Sequence, residues 1–195
     1  LALCKNLDSL KGKQGNISDG AFLSRIKNPA LVTGQYDYFL KEVQKRTPEI
    51  LRKDTVDFKE RSFDNMLGAI VALRETGQKE TASLLLQNLN DHLEKLPAKD
   101  TREFDGRYFW EYALCKGLMN DKQAVKDALQ TRLDTGNIIA NYFLYGIENE
   151  LYLRLSPEEL RPYKQVEQKI IQEQRNNVIT YLKKEGEWKK EWEIQ

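Results

Sequence analysis

The stretch FDNMLGAIVALRETGQKETASLLLQNLNDHLEKLP, residues 63–97, decides the fold. Phe63, Met66, Leu67, Ile70, Val71 and Leu73 recur at the three- and four-residue spacing that puts side chains on one face of an α-helix. Gly77 breaks the pattern. It resumes with Ala82, Leu85, Leu86, Leu89, Leu93 and Leu96 and stops at Pro97, which lacks the N–H a helix interior needs. With Ser62 as N-cap, residues 62–97 are predicted to form two antiparallel amphipathic helices, a helical hairpin.

A second hairpin is predicted over residues 107–134. Tyr108, Phe109, Tyr112, Ala113 and Leu118 mark its first helix, and Ala124, Ala128, Leu129 and Leu133 its second. Asn120 and Asp121 supply the turn between them, and Gly136 the stop. The two hairpins start about 44 residues apart, long for a helical repeat but compatible with a linker from Pro97 to Asp105.

Upstream, Asn16–Gly20 and Asn28–Gly34 are rich in turn residues and enclose a short apolar helix around Phe22, Leu23 and Ile26. A further helix starts near Gln35, and Thr47-Pro48-Glu49 opens another short one. Downstream, Ile138, Ile139, Tyr142, Phe143, Tyr145, Ile147, Leu151 and Tyr152 leave little polar face and are read as a buried helix. Ser156 with Glu159 forms a capping box that opens a long helix over residues 157–185, there or just past Pro162. Val166, Ile170, Ile171, Val178, Tyr181 and Leu182 mark one face of it, with Glu167, Lys169, Glu173 and Arg175 on the others. No stretch alternates with period two, so the expected fold is all-α: one domain over residues 1–195, built of stacked antiparallel hairpins and closed by a long C-terminal helix.

Composition narrows the function. Thirty-one basic against thirty acidic residues leave no net field to attract phosphate backbones or an anionic membrane, so this module is not expected to contact nucleic acid or insert into a membrane. No run of about 18 apolar residues is present either. Leu1, Leu3, Leu7 and Leu10 start the chain in mid-pattern, which reads as a piece of something longer. Cys4 and Cys115 lack metal or redox spacing and are read as small core residues whose redox state the sequence leaves open.

Catalysis has no candidate. His92 is the only histidine, which excludes a multi-histidine metal site, and its place beside Leu89 and Leu93 fits a boundary residue of the helix face. The carboxylates interleave with Lys and Arg at helical spacing, as on a solvated face. There is no Gly-rich phosphate loop and no nucleophile elbow, so no enzyme activity, metal or cofactor is expected.

The hairpin from Phe63 to Pro97 resembles a tetratricopeptide repeat: Ala72 and Leu73 late on the first helix, Gly77 at the turn, Ala82 where helices cross, Leu86 one turn on, and a closing proline. It departs from the repeat at Ile70, where a small residue is usual, and at Lys79, where an aromatic is usual. Gly34 and Tyr36 repeat the turn signature, with Phe39 at the small crossing position and Pro29 before it. From Arg107 to Trp188 the order of elements is similar to the end of tetratricopeptide regions in bacterial signalling proteins, such as membrane-spanning winged-helix transcriptional activators and adenylate cyclases. The resemblance implies a tetratricopeptide-like α-α superhelix with a protein-binding or sensory role beside a separate output domain. It implies placement on either side of a membrane, the extracytoplasmic side being favoured over the cytoplasm.

Stacking in that manner would bring Asp64 and Arg74 of one hairpin near Arg107, Trp110 and Glu111 of the next, and these five are the expected partner-binding residues, with burial of the aromatic cluster around Trp110 against the preceding hairpin as the other reading. The partner is a peptide, a protein segment or a neighbouring domain of the same protein. The alternative is a small-molecule sensor with its pocket between Tyr142–Tyr152 and the last helix. Trp188 and Trp192, four apart, either dock back onto the last helix or serve an interface with a second copy, so an oligomer stays open.

Overall fold

The computed structural model describes residues 18–52, 63–96, 107–134 and 149–189. Its helices are α1 Asp19–Val32, α2 Tyr36–Arg46, α3 Phe63–Glu75, α4 Lys79–Lys95, α5 Arg107–Leu118, α6 Lys122–Asp134 and α7 Pro157–Lys184. A 3₁₀ turn, Pro48–Leu51, follows α2, and a π-helical turn, Asn149–Leu153, precedes α7. No strand occurs among the described residues.

Both predicted hairpins form, α3 with α4 and α5 with α6, and a third appears upstream, α1 with α2. The upstream one corrects the expectation of two turn-rich segments flanking a short helix. Ser18 is the N-cap, its hydroxyl accepting from the Ala21 N–H at 3.3 Å, so Gly20 already lies inside α1. Pro29 does not end the helix. It removes one backbone hydrogen bond, but Phe22, Leu23, Ile26, Ala30 and Leu31 on either side of it are buried, and that packing outweighs the missing bond. Thr33 then closes α1, its N–H and its hydroxyl both donating to the Pro29 carbonyl. Ser62, Pro97, Gly136 and the aromatic residues 138–147 lie outside the described residues.

One turn recurs at all three hairpins. Gly34, Gly77 and Asn120, spaced by 43 residues, each adopt a left-handed backbone with φ of +70°, +84° and +62°. At each, the N–H of the next residue (Gln35, Gln78, Asp121) reaches back to the carbonyl of Ala30, Leu73 or Lys116, so the last helix carbonyls are satisfied before the chain reverses. Thr33-Gly34-Gln35 and Thr76-Gly77-Gln78 are identical in sequence, and both threonine hydroxyls cap their own helix ends. Gly77→Ala is therefore expected to lower stability by about 1 kcal/mol, whereas Asn120→Gly raises it by roughly 0.5 kcal/mol; chemical denaturation of the two variants measures both.

Each hairpin packs on the next. α1 lies against α3, and α3 against α5; α2 lies against α3, and α4 against α5. The apolar core runs without a break from Phe22 through Phe39, Leu67, Ile70, Leu85 and Leu89 to Leu114, Val125 and Leu129. Polar contacts fix the register between layers. Asn65 on α3, fully buried, accepts from the Ser24 hydroxyl and donates to the Gly20 carbonyl of α1. Lys116 on α5 pairs with Glu94 on α4, and Arg74 on α3 donates to the Leu118 carbonyl at the end of α5 at 3.0 Å.

α7 starts at Pro157, not past Pro162, because Ser156 and Glu159 form the predicted capping box. The Glu159 carboxylate accepts from the Ser156 N–H at 2.9 Å and from Lys122 and Lys126 of α6 at 3.0 Å each, which ties α7 to the last hairpin. Those bonds, the Ser156 N–H first, hold its pKa at about 2 against 4.5 for an ordinary glutamate. Because the folded value is the lower one, the stabilisation is present above pH 4.5 and lost as pH falls towards 2. Glu159→Gln is accordingly expected to be less stable than the parent at pH 7 and equal to it near pH 2, which thermal melts across that range will show.

The 28 residues of α7 span about 42 Å, roughly twice the length of α6. Two of its residues are buried, Leu160 and Glu167. The expected apolar face is largely open: Val166, Val178 and Tyr181 are 43%, 58% and 62% exposed. Glu167, predicted on a solvated face, is buried instead.

Candidate functional site

Two of the three first helices, α1 and α5, meet one segment of the chain, residues 149–155, and α3 holds the α1 lysine that does so. Lys27 of α1 is 4% exposed, an unusual state for a lysine. Its stem runs over Gly68 of α3, where an added Cβ would come within 2.7 Å of Lys27 Cγ and 3.2 Å of Phe39. Gly68 therefore clears the channel in which the lysine lies. The Lys27 ammonium pairs with the Asp64 carboxylate of α3 and stands 5.8 Å from the centroid of the Tyr152 ring.

Tyr152 and Leu153 are fully buried and Leu155 nearly so, while Arg154 between them is exposed. Their backbone rests on Gly117 of α5. A Cβ there would overlap the Tyr152 carbonyl oxygen and lie 2.7 Å from Leu153 Cα, so only glycine permits this approach. The segment closes on itself: the Arg154 N–H donates to the Asn149 carbonyl at 2.9 Å, and the Asn149 side-chain amide to the Leu155 carbonyl at 3.2 Å. Arg154 holds a left-handed φ of +57°. Its guanidinium adds to the effect of burial in pushing the pKa of Arg74 below the ordinary arginine value.

The five residues expected to bind a partner fare differently. Asp64 is spent on Lys27, and Arg74 is half-buried on Leu118. Trp110 and Glu111 are buried, at 7% and 8% exposure, in the packing of α5. The side chain of Arg107 lies outside the described residues. The structure thus joins Asp64 to the α1 and α3 face but places Trp110 and Glu111 inside. Lys27, Gly68 and Gly117 were missed by reading the sequence for charged and aromatic clusters, whereas Tyr152 was expected as a buried aromatic; two glycines within helices were the available signal.

His92 lies half-buried at the edge of the apolar face of α4, its ring 5.5 Å from Phe63, and burial followed by the nearby Lys95 charge lowers its pKa. Cys115 is a fully buried free thiol whose pKa burial pushes up to about 12. No group of His, Cys, Asp and Glu that could hold a metal ion occurs among the described residues, and no helix among them is long and apolar enough to cross a membrane. Compared with protein-family models, with curated proteins and with solved structures, the chain matches none.

Proposed function

We propose that the chain is a non-catalytic protein-interaction or sensor module of a bacterial regulatory or signalling protein. Its hairpins stack in the tetratricopeptide manner and are closed by α7, and it binds a peptide or protein segment on the face formed by its first helices. The observation that carries this reading is that Lys27 of α1 and Gly117 of α5 meet one piece of polypeptide, residues 149–155, while Asp64 and Gly68 of α3 hold Lys27 in place. A face where Gly117 admits backbone and Lys27 meets an aromatic ring is suited to hold a peptide. The neighbour-to-neighbour packing of α1, α3 and α5, with the same turn every 43 residues, supports the repeat-like arrangement. A small-molecule pocket beside Tyr152 has less support, since that ring is fully buried in the face.

Affinity capture tests the proposal. The parent chain and the Arg74→Ala and Arg107→Ala variants, each checked for folding by circular dichroism, are used as bait in extracts of the source cell. A partner held by the parent and lost by a folded variant supports the reading. Equal capture by all three places binding elsewhere and contradicts it.

A further inference from the structure

We infer that the open half of α7 is a dimer interface, pairing antiparallel with α7 of a second copy of this chain. Near its start the helix buries Leu160 in the apolar core and Glu167 seven residues on. The same face continues, at spacings of four and three residues, as Ile171, Gln174, Val178 and Tyr181. There it is open: no residue from Gln168 to Lys184 is buried, and Val178 and Tyr181 are 58% and 62% exposed. The opposite side carries a polar row. The Gln172 amide donates to the Asn176 side-chain oxygen at 2.9 Å, and the Thr180 hydroxyl to the Asn176 carbonyl at 2.8 Å. Such a stretch needs cover to stay helical. Asn176, Asn177, Val178, Ile179 and Thr180 are consecutive weak helix formers, and isolated helices of about 15 residues are marginal even when rich in alanine.

The pattern of the open face identifies its occupant. In a two-fold pair, residue i of one copy meets residue j of the other and j meets i, so the surface must read alike in both directions. About the level of Asn176 this one does. Ile170 and Ile171 stand six and five residues before it, Tyr181 and Leu182 five and six after it, and Gln174 and Val178 two on either side. Antiparallel pairing therefore sets Ile171 against Tyr181 of the second copy and Ile170 beside its Leu182, an apolar layer at each end, with Gln174 and Val178 between them. Glu167 of one copy comes level with Glu185 of the other, so the two hairpin stacks lie at opposite ends of the pair and do not collide. A contact of one helix per copy lies at the low end of specific interfaces, about 1,000 Å², and a Kd on the order of 10 μM is expected.

Sedimentation equilibrium of the full chain at about 1–200 μM tests the pairing. The parent is expected to dimerise. The double variant Val178→Glu, Tyr181→Glu changes only exposed side chains, so it should keep a cooperative thermal melt and associate at least about 100-fold more weakly. A parent that stays monomeric at about 200 μM overturns the inference, and so does a folded double variant that dimerises as the parent does. Spin labels on Lys184→Cys in a Cys4→Ser background, Cys115 being buried, read the orientation and decide alone should the double variant not fold. Antiparallel helices hold the two labels about 24 Å apart along the axis. A separation under about 15 Å, as in a parallel pair, or the absence of any coupling between labels overturns the antiparallel pair.

Discussion

Gly117→Val is expected to cost about 3 kcal/mol or more, the largest effect of any single substitution considered. The position lies in α5, where any residue with a Cβ would have the better helix propensity, by up to about 1 kcal/mol. That gain is overridden because the new atoms would meet backbone: the Tyr152 carbonyl oxygen, Leu153 Cα at 2.7 Å and Leu153 O at 3.0 Å. Backbone held by two fully buried side chains cannot give way as a flexible side chain could. In a chain of this size each kcal/mol moves the melting temperature by roughly 2–4 °C, so the variant should melt about 6–12 °C below the parent. Gly20→Ala is the control. Nothing lies within 4 Å of that Cβ, and the substitution should raise stability by about 0.5–1 kcal/mol.

The second large effect is expected at Asp64. Asp64→Ala strands the Lys27 ammonium, which is 4% exposed, without its carboxylate partner. Removing one member of a fully buried pair costs about 3–5 kcal/mol; the Asp64 side chain is 41% exposed, so water reaches part of the site and the expected loss is about 2–3 kcal/mol. Lys27→Met separates charge from packing. It keeps the stem over Gly68 and removes the ion, and it should be close to neutral alone and should rescue Asp64→Ala. Chemical denaturation of the single and double variants checks this: no rescue would mean that Asp64 acts through something other than Lys27.

The hairpins were legible because apolar periodicity and a left-handed turn residue act locally. Ala82, Leu85, Leu86, Leu89 and Leu93 mark α4 in the sequence and are all buried in the structure. Proline was the misleading signal. Pro29 and Pro162 each remove one backbone bond, which the neighbouring packing of α1 and the capping box of α7 outweigh, so both sit inside helices. Charge was misleading too. Lys27, four residues from both Leu23 and Leu31, and Glu167, seven from Leu160, lie on the buried faces of their helices despite their charge, and Lys27 is held there by Asp64, far away in the chain. The site escaped the sequence for the same reason. Its parts are 41 residues apart at Lys27 and Gly68 and 35 apart at Gly117 and Tyr152, and only the stacking of three hairpins brings them together.

Partners are proposed to dock on the face of the first helices. Photo-cross-linking tests it most directly, with benzoylphenylalanine placed at Asn28 on α1 or Glu75 on α3, and at Gln87 on α4 or Gln130 on α6 for comparison. Partner adducts are expected from Asn28 and Glu75 and not from Gln87 or Gln130. Adducts confined to the second helices would contradict the proposal.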